Sequence, residues 1–403
     1  MAMVSSTFYR TDTRIQRQAE ALVARGYSVD VICQREPGDP DIELVRGVRV
    51  RRVGPPKYRG ASVARYTLGY SGFFVSAFDT VTRLHRRYGL DVVHVYSMPE
   101  ALLFTAVVPR IAGVPLVYDA GDLTTELYPA KFGSRGGPLV PAALRLQERL
   151  CLSMADLIVT VHEEYRRRLL ERGVPDSKIR IVMNVPDEAL FTEELRHIPR
   201  EFPDRPDTFT IVHHGSLLDR YGADVLLEAM HLLRHRVPGL HLRIYGDGDL
   251  RPRLLELIDR YHLDSRVEMS EGYLKAHLIP PLLAAGDISV VPTRSDPFTE
   301  TILPNKLMET LTLGLPTIVS NTRTVAAHVP PDVVDYVRPG DAAELADAIE
   351  RLWADGAHRR DLHQRALAFS DAHRWAEQAE RYCRAIDDLV RPDRRAALAA
   401  AGH

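Results

Sequence analysis

The sequence predicts an α/β protein built from two doubly wound domains. Three observations carry that expectation. A chain of 403 residues with 45% hydrophobic and 26% charged residues is soluble and globular, and too long for one ordinary core. Short β-branched runs alternate with longer stretches of helical period, the pattern of parallel strands joined by crossover helices. That series runs twice, on either side of a proline-rich break.

In the first series, strands are expected near residues 2–6, 28–33, 47–53, 91–95, 115–119, 156–161 and 179–183. Helices are expected over 12–25, 62–87, 98–112, 140–154 and 162–172. Pro186, Pro199, Pro203 and Pro206 then punctuate a charged stretch poor in periodic apolar positions, as in an interdomain linker. The second series places strands near 209–214, 241–245, 266–269, 287–291 and 316–320. A last helix over about 374–390 carries Trp375, Tyr382 and Ile386 at helical spacing, so it has an apolar face to bury. The resulting division is an N-terminal domain over 1–190, a linker over 191–207, a C-terminal domain over 208–373, and a helix and tail over 374–403 that pack back across the domains. The natural ligand site is the cleft between the two domains, outside the strands' carboxyl ends.

Charge and cysteine content narrow the functional classes. The net charge is -2, which gives no overall field toward nucleic acid. Residues 1–200 hold 28 Lys/Arg against 23 Asp/Glu, and the remainder is -7, so the first half suits an anionic ligand or surface. Cys33, Cys151 and Cys383 are widely spaced and form no framework, which fits a reducing cytoplasm. No run approaches the ~18 apolar residues of a membrane span, and the start shows no export leader.

The most informative stretch runs from Phe298 to Glu309. Pro304 suits the first turn of a helix, so residues Leu303 to Lys306 would present backbone N–H groups at a positive helix end, a phosphate-binding geometry. Lys306 and Glu309 stand three apart on one face. That spacing places a cation near phosphates and a carboxylate one turn deeper, where it can accept from ribose hydroxyls. The same spacing also suits a solvated Lys/Glu pair on an ordinary helix.

Several segments, taken in order, resemble glycosyltransferase family 4. They are the stretch from Thr13 to Leu22, Asp91 to Pro99, Val117 to Tyr128, Met183 to Asp187, His214 to Gly222, and Leu303 to Glu309. The resemblance covers nearly the whole chain and implies the GT-B architecture of two facing Rossmann-like domains. It further implies a retaining transfer from a nucleotide-diphosphate sugar, UDP-linked or GDP-linked, held by the C-terminal domain, to a small-molecule or glycan-precursor acceptor held by the N-terminal domain. No metal or other cofactor is expected.

By that resemblance Glu309 is the ribose-binding glutamate, and Lys306 meets the diphosphate together with the amides of Leu303, Pro304's neighbour Asn305, and the turn at Pro304 itself. Gly272-Tyr273-Leu274 is the segment holding the base, with Tyr273 and Leu274 as donor contacts, and Gly246 opens a turn near the nucleotide. In the loop from Gly215 to Gly222, the positions that normally carry an arginine and a lysine are Ser216 and Tyr221, so Arg220 is the expected substitute for phosphate contact. Arg220 and Lys306 are the candidate catalytic residues.

Further positions depart from the family pattern. A glutamate is expected at Thr301, with Glu300 adjacent to it, and a histidine at Gly121. Tyr96 stands where relatives often have another histidine. Retaining transfer chiefly needs the departing diphosphate stabilised and the acceptor placed, which Arg220, Lys306 and helix amides can do. A catalytically silent nucleotide-sugar-binding or partner subunit is the alternative that these losses leave open. Acceptor contacts are expected from Tyr96, Gly121, Asp122 and Glu126, the last two being equally suited to capping a helix.

Other signals read more plainly. His231 and His235 have the spacing of metal ligands but no third ligand nearby. Arg166-Arg167-Arg168 reads as a solvated helix face. Residues 62–87 combine aromatic and aliphatic side chains with Arg83, Arg86 and Arg87; an ordinary core-facing helix is the favoured reading, and a peripheral membrane contact the other.

Overall fold

A computed structural model describes residues 1–36, 38–56, 63–97, 99–121 and 139–390. The chain forms two compact units: Met1–Asn184 with the chain from Ala376 onward, and Val185–Trp375. Each holds a parallel sheet with helical crossovers, the expected pair of Rossmann-like cores.

The first unit's sheet has the order β3-β4-β2-β1-β5-β6-β7-β8. Its strands are β1 Ala2–Val4, β2 Asp30–Cys33, β3 Ile42–Val45, β4 Val48–Arg52, β5 Val93–Tyr96, β6 Leu116–Ala120, β7 Leu157–Thr160 and β8 Ile179–Ile181. Every residue of β1, β2, β5, β6 and β7 is buried, as expected of parallel strands covered on both faces.

Among the described residues β3 is the one antiparallel strand, paired with β4, and the sequence reading missed it. It is an edge strand whose residues are half-buried or exposed, so it lacks the apolar run that marks the others. The hairpin turns through Arg46 (φ 47°) and Gly47 (φ 83°), two consecutive left-handed residues that match the strand twist.

The segment expected as one helix over 98–112 is a 3-10 turn, Glu100–Ala106, followed by an α-helix, Val107–Ile111. Pro109 explains the break. It lacks an N–H, and an α-helix tolerates that only in its first turn. The helix Val63–Tyr88 buries Phe73, Ala77, Val81 and Leu84 against the sheet, so its apolar stripe is mainly core. Leu68 and Val75 face outward, and Arg83, Arg86 and Arg87 are exposed at its end.

The C-terminal helix, Trp375–Leu389, belongs to this first unit. Gln378 Oε1 accepts from the Met183 amide (3.0 Å), and Arg25 and Tyr27 both bond Asp387.

The second unit's sheet has the order β11-β10-β9-β12-β13-β14, parallel throughout. Its strands are β9 Phe209–His214, β10 Leu240–Tyr245, β11 Val267–Met269, β12 Ile288–Val291, β13 Thr317–Ser320 and β14 Asp335–Val337. β14 was not foreseen, being three residues long and only part-buried. The proline-rich stretch docks on this unit: Phe191 packs with Val212, Leu283 and Leu313, and Arg200 donates to the carbonyls of Ala284 and Gly286. The chain enters the second unit at Val185, ahead of the segment read as a linker.

Candidate functional site

In the second unit the strand order reverses between β9 and β12, so the loops after these strands part and leave room at their carboxyl ends. β9 ends at His214 and leads through Gly215, Ser216 and a 3-10 turn, Asp219–Tyr221. Beyond β12, Asp296 Oδ1 accepts from the amides of Phe298 and Thr299, starting the turn Thr299–Thr301 ahead of the helix Asn305–Thr312. Arg294 ties the two loops together, its Nε donating to the Asp219 carbonyl and its guanidinium pairing with Asp224 at 2.5 Å. Gly246, after β10, could not carry a side chain, since a β-carbon would strike the Gly215 carbonyl oxygen. Backbones can therefore approach closely where a ligand would lie.

Lys306 and Glu309 do point into this place, but they do not pair with each other. Glu309 Oε2 lies 2.5 Å from His214 Nε2. The Lys306 stem is part-exposed, but its ammonium is enclosed, lacks a hydrogen-bond partner, and sits 4.8 Å from the centre of the Tyr221 ring. Burial pushes Lys306 down to about 8, partly offset by the Glu309 charge. A desolvated cation with no acceptor is costly unless a ligand supplies one. Arg220 stacks over Phe298, with its guanidinium carbon 5.2 Å from the ring centre. Next door His213 is held neutral by burial and the Lys306 charge; its Nδ1 bonds the Val290 carbonyl and its Nε2 has no partner.

Pro304 takes the N-cap position rather than the first helical residue, with an extended backbone and no side-chain cap, so the helix starts at Asn305. Leu303 and Ser216 are half-buried nearby in sequence. Tyr273 is exposed and Leu274 half-buried, on the loop after β11. Glu300 turns elsewhere: its carboxylate accepts from Ser295 Oγ (2.6 Å) and from the Arg323 amide (2.7 Å), where it serves the start of the helix Arg323–His328. Thr301 is buried with its hydroxyl on the Phe298 carbonyl.

The first unit has its own polar centre at the carboxyl ends of its strands. Asp119 accepts from Arg14 Nε (3.1 Å) and Gln18 Nε2 (3.2 Å), and the charged Arg14 terminal nitrogen lies 3.0 Å from its carboxylate. Tyr96 is buried, stacks on His94 with ring centres 4.5 Å apart, and donates its hydroxyl to Gln18, so that hydroxyl is already engaged. His94 Nδ1 bonds the Tyr382 hydroxyl of the C-terminal helix at 2.7 Å. Burial and the Arg14 charge hold the His94 imidazole down to about 3, so it is neutral. At Gly121 a β-carbon would meet, among the described residues, Asp119 Oδ1 at 3.4 Å. Asp122 and Glu126 lie outside the described residues.

Sequence reasoning singled out neither His214 as the partner of Glu309 nor Arg14, Gln18 and Tyr382 as the surroundings of Asp119. The signal available was a histidine ending a strand that opens a glycine loop. The other side chains that the sequence singles out are placed as follows. Arg166 pairs with Glu163 and Asp176, and Arg167 with Glu164 and Glu171. His231 stacks on Tyr261. Among the described residues no three His, Cys, Asp or Glu side chains are grouped to hold a metal ion, and no helix is long and apolar enough to cross a membrane.

Residues 11–184 match the Glycosyl transferase 4-like domain and residues 208–355 match Glycosyl transferases group 1, so each sheet falls to one model. The chain is a GT-B glycosyltransferase of the family 4 type. It is similar to the alpha-D-kanosaminyltransferase of Streptomyces kanamyceticus, 25% identical over 288 residues that span 70% of this chain and 73% of that protein. Other curated glycosyltransferases align over about half of their own length. Among solved structures, sucrose-phosphate synthase from Thermosynechococcus elongatus superposes with a TM-score of 0.76 at 22% identity, over 96% of this chain and 98% of that one. Anabaena HepE, solved with UDP and glucose, superposes with a TM-score of 0.69 at 15% identity, over 96% and 99%. At these identities the superpositions speak for the fold alone.

Proposed function

We propose that this glycosyltransferase moves a sugar from a UDP- or GDP-linked donor to a small-molecule or glycan-precursor acceptor, with retention and without a metal, in the cytoplasm. The observation that carries the reading is the enclosed, unpartnered Lys306 ammonium beside the His214–Glu309 pair, at the point where the strand order reverses. A nucleoside diphosphate supplies phosphate oxygens to the Lys306 ammonium, within the charge of the neighbouring Arg220, and vicinal hydroxyls to Glu309. As the bond from sugar to phosphate breaks, negative charge grows on the leaving diphosphate, and a cation held in a desolvated site stabilises it without reorganising. The acceptor then attacks on the face the diphosphate leaves. Similarity in fold to HepE, solved with UDP and glucose, supports a nucleotide-sugar donor.

The test is thermal stability across titrations of UDP, GDP and ADP, on the wild type and on Glu309→Ala. A ligand at about one hundred times its Kd adds ~2.7 kcal/mol. One nucleotide should stabilise the wild type and lose that effect in the variant; no shift with any of them removes the reading. Glu300 serving a helix start, and Thr301 buried, favour a second reading, a silent nucleotide-sugar-binding subunit. Binding without turnover on any acceptor would select it. Peripheral membrane contact through residues 62–87 rests on outward Leu68 and Val75 with exposed Arg83, Arg86 and Arg87, and co-sedimentation with anionic vesicles tests it.

A further inference from the structure

We infer that His214 is a positioning residue that holds Glu309 in the rotamer presenting its second carboxylate oxygen to a pair of adjacent hydroxyls. The inference rests on the nucleotide-binding reading above and adds to it the residue that shapes the ribose subsite.

The argument begins with a pairing that does not occur. Lys306 and Glu309 stand three apart on one helix face, a spacing at which opposite charges ordinarily meet. Here the Lys306 ammonium is enclosed and has no hydrogen-bond partner, while Glu309 Oε2 is 2.5 Å from His214 Nε2. His214 is placed to win that competition. It is the last residue of β9, its backbone is fixed by pairing with Tyr245 of β10, and its side chain is only 5% exposed, against 30% for Glu309. A rigid buried donor facing a more mobile carboxylate selects one rotamer of the carboxylate. The imidazole takes up one oxygen and leaves Oε1 for a ligand. It also keeps Glu309 from swinging onto Lys306, where it would occupy the place of a phosphate.

A purely architectural histidine would make a different prediction, since it would stabilise the fold without regard to what the ligand carries. The experiment therefore compares ligands that differ only at the ribose. The Kd of UDP and of GDP is measured beside that of the matching 2′,3′-dideoxynucleoside diphosphate, on wild type, His214→Leu, His214→Gln, His214→Asn, Glu309→Ala and the His214→Leu/Glu309→Ala double variant. The glutamine amide reaches where Nε2 stood and the asparagine amide does not.

The wild type should prefer the ribonucleotide by about tenfold or more, the value of a charged hydrogen-bond acceptor. That preference should fall to about twofold or less in the leucine and asparagine variants, persist in the glutamine variant, and show no further loss when leucine is added to Glu309→Ala. An unchanged preference in His214→Leu overturns the inference. Equal binding of ribose and dideoxyribose ligands by the wild type also overturns it, while leaving the nucleotide reading in place. Failure of the wild type to bind either UDP or GDP overturns both. Should His214→Leu not fold, the contrast between the glutamine and asparagine variants decides.

Discussion

The two sheets place charged side chains at the same kind of position, the carboxyl ends of parallel strands, and treat them in opposite ways. In the first unit the buried Asp119 is paired with Arg14, whose side chain is 12% exposed, and Gln18 adds a further bond to the carboxylate. In the second unit the Lys306 ammonium is enclosed with no hydrogen-bond acceptor, only the face of Tyr221, and burial lowers its proton affinity. The first arrangement is complete without a ligand. The second is stable only at a cost that a bound anion would remove. A buried charge that is paired argues for architecture, and one left unpaired argues for a binding site.

Breaking the paired site should have the largest effect. Asp119→Leu leaves the Arg14 guanidinium buried without its partner, and the first unit should lose about 3–5 kcal/mol in urea unfolding. In the second unit the sign reverses. Lys306→Met should stabilise the free protein by roughly 3 kcal/mol below pH 8, and should abolish any nucleotide-induced shift in Tm. The sign follows from the lowered proton affinity of the folded state. Lysine binds its proton less tightly when folded (about 8) than when unfolded (10.5), so the penalty is complete below pH 8 and fades as pH rises toward 10.5. A variant that is less stable than wild type at pH 7 would show that Lys306 is not held at a cost.

The same titration sharpens the functional side of the contrast. If a diphosphate binds the protonated Lys306, its Kd should be steady just below pH 8 and rise by about tenfold per pH unit above it, until the lysine of the complex itself titrates. Isothermal titration across pH 7 to 10 checks this, and a Kd that stays level above pH 8 would count against it. The smallest effect is expected at the first unit's anchor. Tyr382→Phe removes the hydroxyl that bonds His94 Nδ1 and should cost about 1–2 kcal/mol, with nucleotide binding unchanged.

How far these features could be read from the sequence depends on how far apart their parts lie along the chain. The strands with fully buried faces were legible because each is a short run rich in β-branched and other apolar residues. β3 and β14 were not, because an edge strand needs no such run. Lys306 and Glu309 could be singled out together because three residues of helix separate them. Their failure to pair could not, because it depends on His214, 95 residues away from Glu309. The Arg14–Asp119 pair spans 105 residues, and the His94–Tyr382 bond spans 288. The apolar face of the last helix was visible in Trp375, Tyr382 and Ile386, whereas its membership of the first unit was not.

By itself, then, the sequence determined the alternation that makes two parallel sheets, the family, and the short-range motif of a cation and a carboxylate on one helix. Periodicity and nearest-neighbour chemistry act within a few residues, and sequence records them directly. Tertiary structure decided which buried charges find partners. It closed Arg14 onto Asp119, turned Glu300 to a helix start, gave Glu309 to His214 and left Lys306 without an acceptor. Those outcomes depend on distances between side chains that only the packed sheets bring together, and in a medium of low polarity such distances set the energy.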